Sequence, residues 1–441
     1  MRILHLANLY APVIGGLERS VATSSEELVR RGHEVTVLTL APASPLSSGV
    51  PASSGVPASS GVPASSGVPA SSGVPASETR SGVRVVRVRS VATSLLPGMN
   101  QDRAKPFHPT APDPLTTADI RRVLRSSPFD VVHSHDWLMY SYLPLRFGAA
   151  GLPHVHTAHD FGLTCVKKTY AREGGMCGGA RLARCVSCAS DQYGRPRALV
   201  LTSALRAHRH RGIDALTAIS PSVAQALRGA RLPGGLPIRV VSSMVPDGLD
   251  QLALSTARPS WLPDRPYLLF VGALGPHKGV HVLFGAYRRL VNGWRATSPP
   301  PPLVCIGTPR VDTPPIPPGV VVRHDVPHAQ VMAAWRGAAI GLVPSLNEAM
   351  GQVAVEALLA RTPVIASRTG GLADMIRDGE SGLHVPPGDP VALASAIRRL
   401  LADSELAARL RDAGYQRGLD YTASRVVPQI EEVYRSVLRP R

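Results

Sequence analysis

Short apolar runs alternate with stretches of helical spacing along most of the chain. The first run, ILHLANL at residues 3–9, predicts a strand. Leu17–Arg31 follows with Leu17, Val21, Leu28 and Val29 on or near one face, which predicts a helix closed by Gly32. EVTVLTL (34–40) predicts a second strand, and this strand–helix–strand opening is the signature of a doubly wound parallel sheet. Further strands are expected at 83–89, 129–133, 153–156, 215–220 and 238–242, then at 267–271, 303–307, 320–325 and 340–344. Helical spacing falls on Leu115–Arg125, Arg197–Arg211, Pro221–Leu227, His328–Arg336, Val391–Leu401, Ser404–Ala413 and Tyr421–Leu438. The fold class is therefore α/β.

Two stretches break the pattern. Residues 47–76 repeat SSGVPA five times, a composition that buries no core and is expected to be a disordered insertion. The loop-closure cost of such an insertion grows slowly with length, so the fold should tolerate it. Residues 255–265 (STARPSWLPDR) are polar and Pro-rich and are expected to link an N-terminal unit, 1–254, to a second unit, 266–420. A chain of 441 residues is long enough for two such cores. The last helix, 421–441, is then left over from the second unit.

Composition narrows the class. Hydrophobic content is 44%, and no apolar run approaches the length of a membrane span. The N-terminal apolar run is short and lacks a small-residue cleavage site, so it reads as a strand, and a cytoplasmic protein is expected. The formal net charge is +17, and only four of the 48 cations are Lys. Such a surface is either merely solvated or drawn to anionic lipid at the inner membrane face. Nucleic acid is not expected as a partner, because the cations are spread along the chain and no recognised module accompanies them.

The stretch Val343–Asp389 carries the densest chemistry. Glu348–Gly351 and Thr369–Gly371 each follow an apolar run and open onto a helical one, the arrangement in which backbone N–H groups meet an anion. Glu348 and Glu356 are eight residues apart. Were that interval wholly helical they would stand ~12 Å apart along the axis and about 80° around it. That exceeds the roughly 5–9.5 Å of a glycosidase acid pair. It suits two carboxylates holding different hydroxyls of one elongated ligand, although a solvated helical Glu and a loop Glu would read the same. Gly15–Gly16 lacks the full G-x-G-x-x-G spacing of a dinucleotide site. It either lets backbone approach a phosphate or an acceptor, or serves a turn.

Two metal-like groupings need weighing. Cys165, Cys177, Cys185 and Cys188 are spaced C-x11-C-x7-C-x2-C, and Cys305 is the only other cysteine. Structural zinc held by four thiolates, free thiols, and redox or disulfide use all stay open. His133, His135 and Asp136 end the strand at 129–133, with the two imidazoles on one strand face and able to share a ligand.

PS-x-x-E-x7-E at Pro344–Glu356, TPVIAS at Thr362–Ser367, Gly370–Gly371, and DG-x-x-G-x-x-VPPGD at Asp378–Asp389 resemble, in that order, the donor-binding half of the family-four retaining glycosyltransferases. The resemblance covers the C-terminal half well and the N-terminal half more loosely. The Cys-bearing loop places the chain with a subset of that family. The resemblance implies the GT-B architecture, two doubly wound Rossmann-like domains facing a cleft. The N-terminal domain would bind a hydroxyl acceptor, the C-terminal domain a nucleoside-diphosphate sugar, and the last helix would cross back onto the first domain. It also implies roles. Glu356 would hold ribose hydroxyls. Glu348 and the backbone of Ala349, Met350 and Gly351 would hold sugar and diphosphate. Lys278, in the loop opened by Gly272, would stabilise the leaving diphosphate. His159 and the Gly15–Gly16 pair would complete the site from the opposite domain, with no cofactor required for catalysis. An H-x-H at this strand end is common in the family without a metal. The family usually carries an Arg where Ala273 stands, a departure that leaves room for a nucleotide-sugar epimerase or hydrolase, or for a non-catalytic, zinc-stabilised binding protein.

Overall fold

The computed structural model describes residues 1–11, 15–41, 77–94, 106–147, 151–172, 175–179, 181–208, 211–230 and 236–438. The SSGVPA repeat lies outside the described residues.

Two sheets organise the chain. The strands of the first half are β1 (Arg2–Ala7), β2 (Glu34–Leu40), β3 (Ser77–Arg80), β4 (Val83–Val88), β5 (Val131–Ser134) and β6 (His154–Ala158). A two-stranded hairpin, β7 (Ala171–Arg172) and β8 (Gly175–Met176), precedes β9 (Ala215–Ala218) and β10 (Ile238–Val240). The second half supplies β11 (Leu268–Val271), β12 (Leu303–Ile306), β13 (Val320–Arg323), β14 (Ile340–Val343), β15 (Val364–Ser367) and β16 (Leu383–Val385). The first sheet runs β10-β9-β6-β5-β1-β2-β4-β3 and the second β13-β12-β11-β14-β15-β16. Pairings are parallel except the edge pair β3–β4. The chain thus has the two doubly wound Rossmann-like sheets that the apolar rhythm predicts.

Each sheet has one point where its winding reverses: between β1 and β5 in the first, and between β11 and β14 in the second. Ligands of open α/β sheets bind at the carboxyl ends of strands at such points. The loops leaving these four strands contain Asn8, His135, Gly272–Gly279 and Pro344–Gly351.

Helices form where the sequence supplies caps and an apolar face. Asp113, Ser220, Asp389 and Asp403 each accept a first-turn backbone N–H, and in three of these helices Pro opens the first turn. Val21 and Leu28 of Gly16–Arg30 are fully buried against β1, β2 and β4 with Ile3, Val37 and Val85. Each such side chain stabilises the fold by roughly 1.5–3 kcal/mol. Ala423–Leu438 packs Val426, Val427, Ile430 and Tyr434 into that same first-sheet cluster. Another apolar cluster runs from Trp137 and Leu216 in the first half of the chain through Leu262 to Trp335 and Leu358 on helices of the second half.

Several details depart from the sequence reading, the unpredicted helices Leu249–Ser255 and Val280–Asn292 among them. Met139–Arg146 is a helix, unread because apolar residues surround it and Pro144 interrupts it. The Cys-bearing segment is not simply a loop: Leu182–Tyr193 is helical and carries Cys185 and Cys188. Helix Gln352–Leu359 begins after Gly351, so Glu348 lies off the helix that holds Glu356. No helix among the described residues is long and apolar enough to cross a membrane.

Candidate active site

The cleft-facing loops of the second sheet are locked by close backbone contacts. Pro276–Lys278 forms a single 3-10 turn ended by Gly279 at φ 71°. A Cβ on Gly279 would stand 1.9 Å from the Pro344 carbonyl oxygen, so only glycine lets the loops after β11 and β14 meet. Leu346 N–H donates to the His277 carbonyl at 3.0 Å, and Gly371 N–H to that of Glu348 at 2.8 Å.

That contact sets the first acid–cation pair. Lys278 Nζ stands 2.6 Å from Glu348 Oε2, and Ser345 Oγ donates to the same oxygen at 3.2 Å. Both partners keep some solvent contact, so the pair can be opened by a ligand.

The second pair joins the two halves of the chain. Glu356 is 3% exposed and accepts from Arg19 Nη1 at 2.8 Å, with His328 Nε2 at 3.0 Å from the same oxygen. Burial alone would raise this carboxyl's pKa. The hydrogen bond and charge of His328, with Arg19 behind them, outweigh burial and hold it below the ordinary value. Arg19 lies in the first turn of Gly16–Arg30, three residues past Gly16, and a Cβ on Gly16 would meet Gln352 Oε1 at 3.4 Å. Gln352 Nε2 donates to Ser243 Oγ at 3.0 Å and to the Met244 carbonyl at 3.1 Å. Ser220 Oγ donates to the Ala349 carbonyl at 2.7 Å, and Asn347 Nδ2 to the Thr169 carbonyl. The segment 347–356 therefore touches the first half at four places.

The first sheet contributes a buried imidazole group. His5 and His133 stand in register on β1 and β5. With His135 their ligand atoms lie within 4.8 Å of one another, the one such trio among the described residues. Five of the six ring nitrogens already have partners. His5 meets Ser25 and Tyr434, His133 meets Tyr434 and Thr157, and His135 Nδ1 meets His159 Nε2 at 2.9 Å. Only His135 Nε2 is left over. The trio is thus a closed network rather than an open ligand set. Burial pushes His5 and His159 down to about 3 and His133 and His135 well below the usual imidazole range. Asp136, accepting from Asn8 N–H at 2.6 Å, is pushed up to about 6 by burial. His135 and His159 line two small adjoining cavities, one with Asp136, Asp160 and Lys168, the other with Ser20, Ser243 and Met244.

Of the residues singled out from the sequence, Lys278, Glu348, Ala349, Met350, Gly351 and Glu356 thus occupy one loop-and-helix face of the second sheet. Gly15 and Gly16 lie opposite it. Gly272 directly follows β11, its N–H donating to the Ile306 carbonyl at 2.9 Å. Ala273 begins a tight turn through its carbonyl, which accepts from Gly275 N–H at 2.8 Å, and offers no cation. Arg310 packs against Gly275 beside His277 instead. Cys165, Cys177, Cys185 and Cys188 line one cavity in the first half. Sequence reasoning missed Arg19, His328, Arg310, Gln352 and Asn347. For Arg19 the one usable signal in the sequence is its position three residues after the Gly15–Gly16 pair.

Comparison with known proteins agrees on one lineage. The family described as Glycosyltransferase Family 4 matches residues 14–247, and that described as Glycosyl transferases group 1 matches residues 256–417. The D-inositol 3-phosphate glycosyltransferase of Acidothermus cellulolyticus is 30% identical over 374 residues, covering 81% of this chain and 78% of that protein. Sucrose-phosphate synthase from Thermosynechococcus elongatus shares the fold with a TM-score of 0.67 at 21% identity, covering 99% of this chain and 98% of that one. The Anabaena protein HepE, solved in complex with UDP and glucose, aligns with a TM-score of 0.61 at 16% identity, covering 99% of this chain and 100% of that one.

Proposed function

The chain belongs to glycosyltransferase family 4, and on that footing we propose that its donor, a nucleoside-diphosphate sugar, lies along Lys278, Glu348 and Glu356 and gives up its sugar with retained anomeric configuration. Transfer of sugar from a nucleotide-sugar donor is the activity of the family. The observation that carries the seating is the pair of cation-bound carboxylates, Lys278–Glu348 and Arg19–Glu356, on one loop and helix at the switch point of the second sheet.

The ribose diol takes the Glu356 carboxylate in exchange for Arg19. The diphosphate lies over the N-terminus of Gln352–Leu359, where helix polarity favours negative charge. Lys278 leaves Glu348 for the leaving phosphate, and Glu348 turns to the sugar hydroxyls with the backbone of Ala349–Gly351. Charge that develops on the leaving oxygen then meets an already placed ammonium, which is electrostatic stabilisation of the transition state. Arg19, released from Glu356, supplies the second cation that Ala273 lacks. These cations do the charge neutralisation that a divalent ion would otherwise do. The leaving phosphate itself takes the acceptor proton, so no protein carboxylate is needed as base.

The N-terminal unit, 1–254, takes the acceptor at the carboxyl ends of β1, β5 and β6. His159, kept neutral by burial, presents a hydrogen-bonding edge towards the donor sugar. The solved HepE neighbour with UDP and glucose supports a nucleotide and a hexose in a cleft of this fold. The basic surface is consistent with work at an anionic membrane face. Lys278→Ala should lower kcat by about 10²–10³-fold, the usual cost of losing one preplaced charge-stabilising group. Full transfer activity in that variant would remove Lys278 from the mechanism.

A further inference from the structure

The four cysteines of the first half come from three local pieces. Cys165 closes a tight turn, its N–H donating to the Phe161 carbonyl at 2.8 Å. The β7–β8 hairpin returns the chain so that Cys177 N–H donates to the Tyr170 carbonyl at 2.9 Å. Cys185 and Cys188 stand one turn apart on Leu182–Tyr193, the spacing that shares a helix face. All four line a single cavity, and none is in a disulfide. Lys167, Arg184 and Arg206 line the same cavity.

Packing holds the start of this segment, where Phe161, Leu163, Val166 and Tyr170 are buried in the core, but its helix less completely. Most helical stability in proteins comes from burying an apolar face, and short helices without one are marginal. Leu182–Tyr193 buries only Ala189. Lys168 and Tyr170 hold left-handed backbone at φ 63° and 49°, which costs roughly 1–2 kcal/mol each for a residue with a side chain. Between them the Thr169 carbonyl accepts from Asn347, the neighbour of Glu348. A strained turn and a helix with one fully buried residue thus stand beside the donor loop, and both carry members of the thiol set around one cavity.

We propose that Cys165, Cys177, Cys185 and Cys188 bind one zinc ion as a tetrathiolate site that fixes the segment 161–193 against the donor loop at Asn347. Four thiols lose their protons and bind one Zn²⁺, leaving a centre of net charge −2 that Lys167, Arg184 and Arg206 offset. Zinc takes four sulfurs at about 2.3 Å in tetrahedral geometry. No three of the four Sγ atoms yet stand within 4.8 Å of one another, so metal entry contracts the cavity and draws turn, hairpin and helix together. The role is structural: the set leaves no ligand position for substrate. The inference does not depend on the transfer reading.

The test is metal analysis of the full chain purified under reductant after zinc-supplemented expression. Wild type and Cys305→Ser, whose thiol is buried in the other half, should each carry about one zinc per chain. Cys185→Ser/Cys188→Ser should carry almost none. In wild type the four thiols should resist alkylation until a chelator removes the metal, and trypsin should then cut faster after Arg181 and Arg184. Should the double variant fail to fold, the wild-type metal content and alkylation still decide. Wild-type chain that takes up no zinc on anaerobic reconstitution while all four thiols alkylate freely, or that holds them as two disulfides, would overturn the proposal.

Discussion

At the scale of single residues, the site is built on two acid–cation pairs, Lys278–Glu348 and Arg19–Glu356. Glu348 and Glu356 were legible through the ordered motifs in which they stand, PS-x-x-E-x7-E followed by TPVIAS and VPPGD; their spacing alone decides nothing, since only Glu356 lies on the helix. Their partners were not legible. Arg19 reaches Glu356 across 337 positions of sequence, and His328 across 28, and no local pattern encodes such pairings. On the proposed mechanism the same distance hides a compensation, Arg19 standing in from the other half of the chain for the Arg missing at Ala273. Arg19→Ala should therefore lower kcat/KM by about 10–100-fold, since hydrogen bonds to charged groups are worth about 1.5–3 kcal/mol, while Arg19→Lys keeps most activity. Steady-state kinetics with saturating acceptor check this. Unchanged or improved turnover in Arg19→Ala would make Arg19 only a latch on the empty site.

At the scale of elements, strands were read closely because parallel sheets buried on both faces are continuous apolar runs. EVTVLTL became β2 without a change of boundary. The helix Met139–Arg146 shows no one-sided stripe because it is buried nearly all round, whereas Leu182–Tyr193 does space Leu182, Val186, Ala189 and Tyr193 along one face, a pattern hidden behind its cysteines. Loop contacts were unreadable, although glycines marked where they occur. Gly279→Ala adds a Cβ into the Pro344 carbonyl in a left-handed residue. It should cost more than the roughly 1–2 kcal/mol of left-handed backbone alone and should weaken donor binding, because Lys278 is its neighbour. Gly32→Ala is the control, at φ 85° with nothing within 4 Å of the new Cβ. It should show the backbone cost only. Thermal unfolding of both variants separates the two terms, and equal losses would mean the loop contact is not tight.

At the scale of the whole molecule, the two halves meet through Arg19–Glu356, Gln352–Ser243, Ser220–Ala349 and Asn347–Thr169. The doubly wound class was readable from sequence, but which faces oppose one another was not, since that depends on long-range packing. The buried imidazoles make stability depend on acid. His5 and His159 fall to about 3 and His108 and His154 to about 4 from an ordinary 6.5, burial being the main cause. An unfolded chain then binds protons that the folded chain refuses. The stability these groups confer is full above about pH 6.5 and is lost as pH falls towards 4, by up to about 1.4 kcal/mol per pH unit for each imidazole. Glu431, held at about 2 chiefly by Arg31, adds a loss in the same direction at lower pH, while Asp136, raised to about 6, opposes both. Tm should fall steeply between pH 6.5 and 4.5 in low-salt buffer, and a flat profile would mean these imidazoles are not sealed from solvent. The seating of the donor is tested most directly by titration calorimetry. The nucleotide-sugar that most raises Tm in a screen is titrated into wild type and into Glu356→Gln, which keeps the side chain's shape but removes its charge. The expected result is saturable one-site binding to wild type, weakened about 10–100-fold in the variant, the equivalent of one charged hydrogen bond. Equal affinity for both proteins would contradict the account, because the nucleotide would then lie somewhere other than on Glu356.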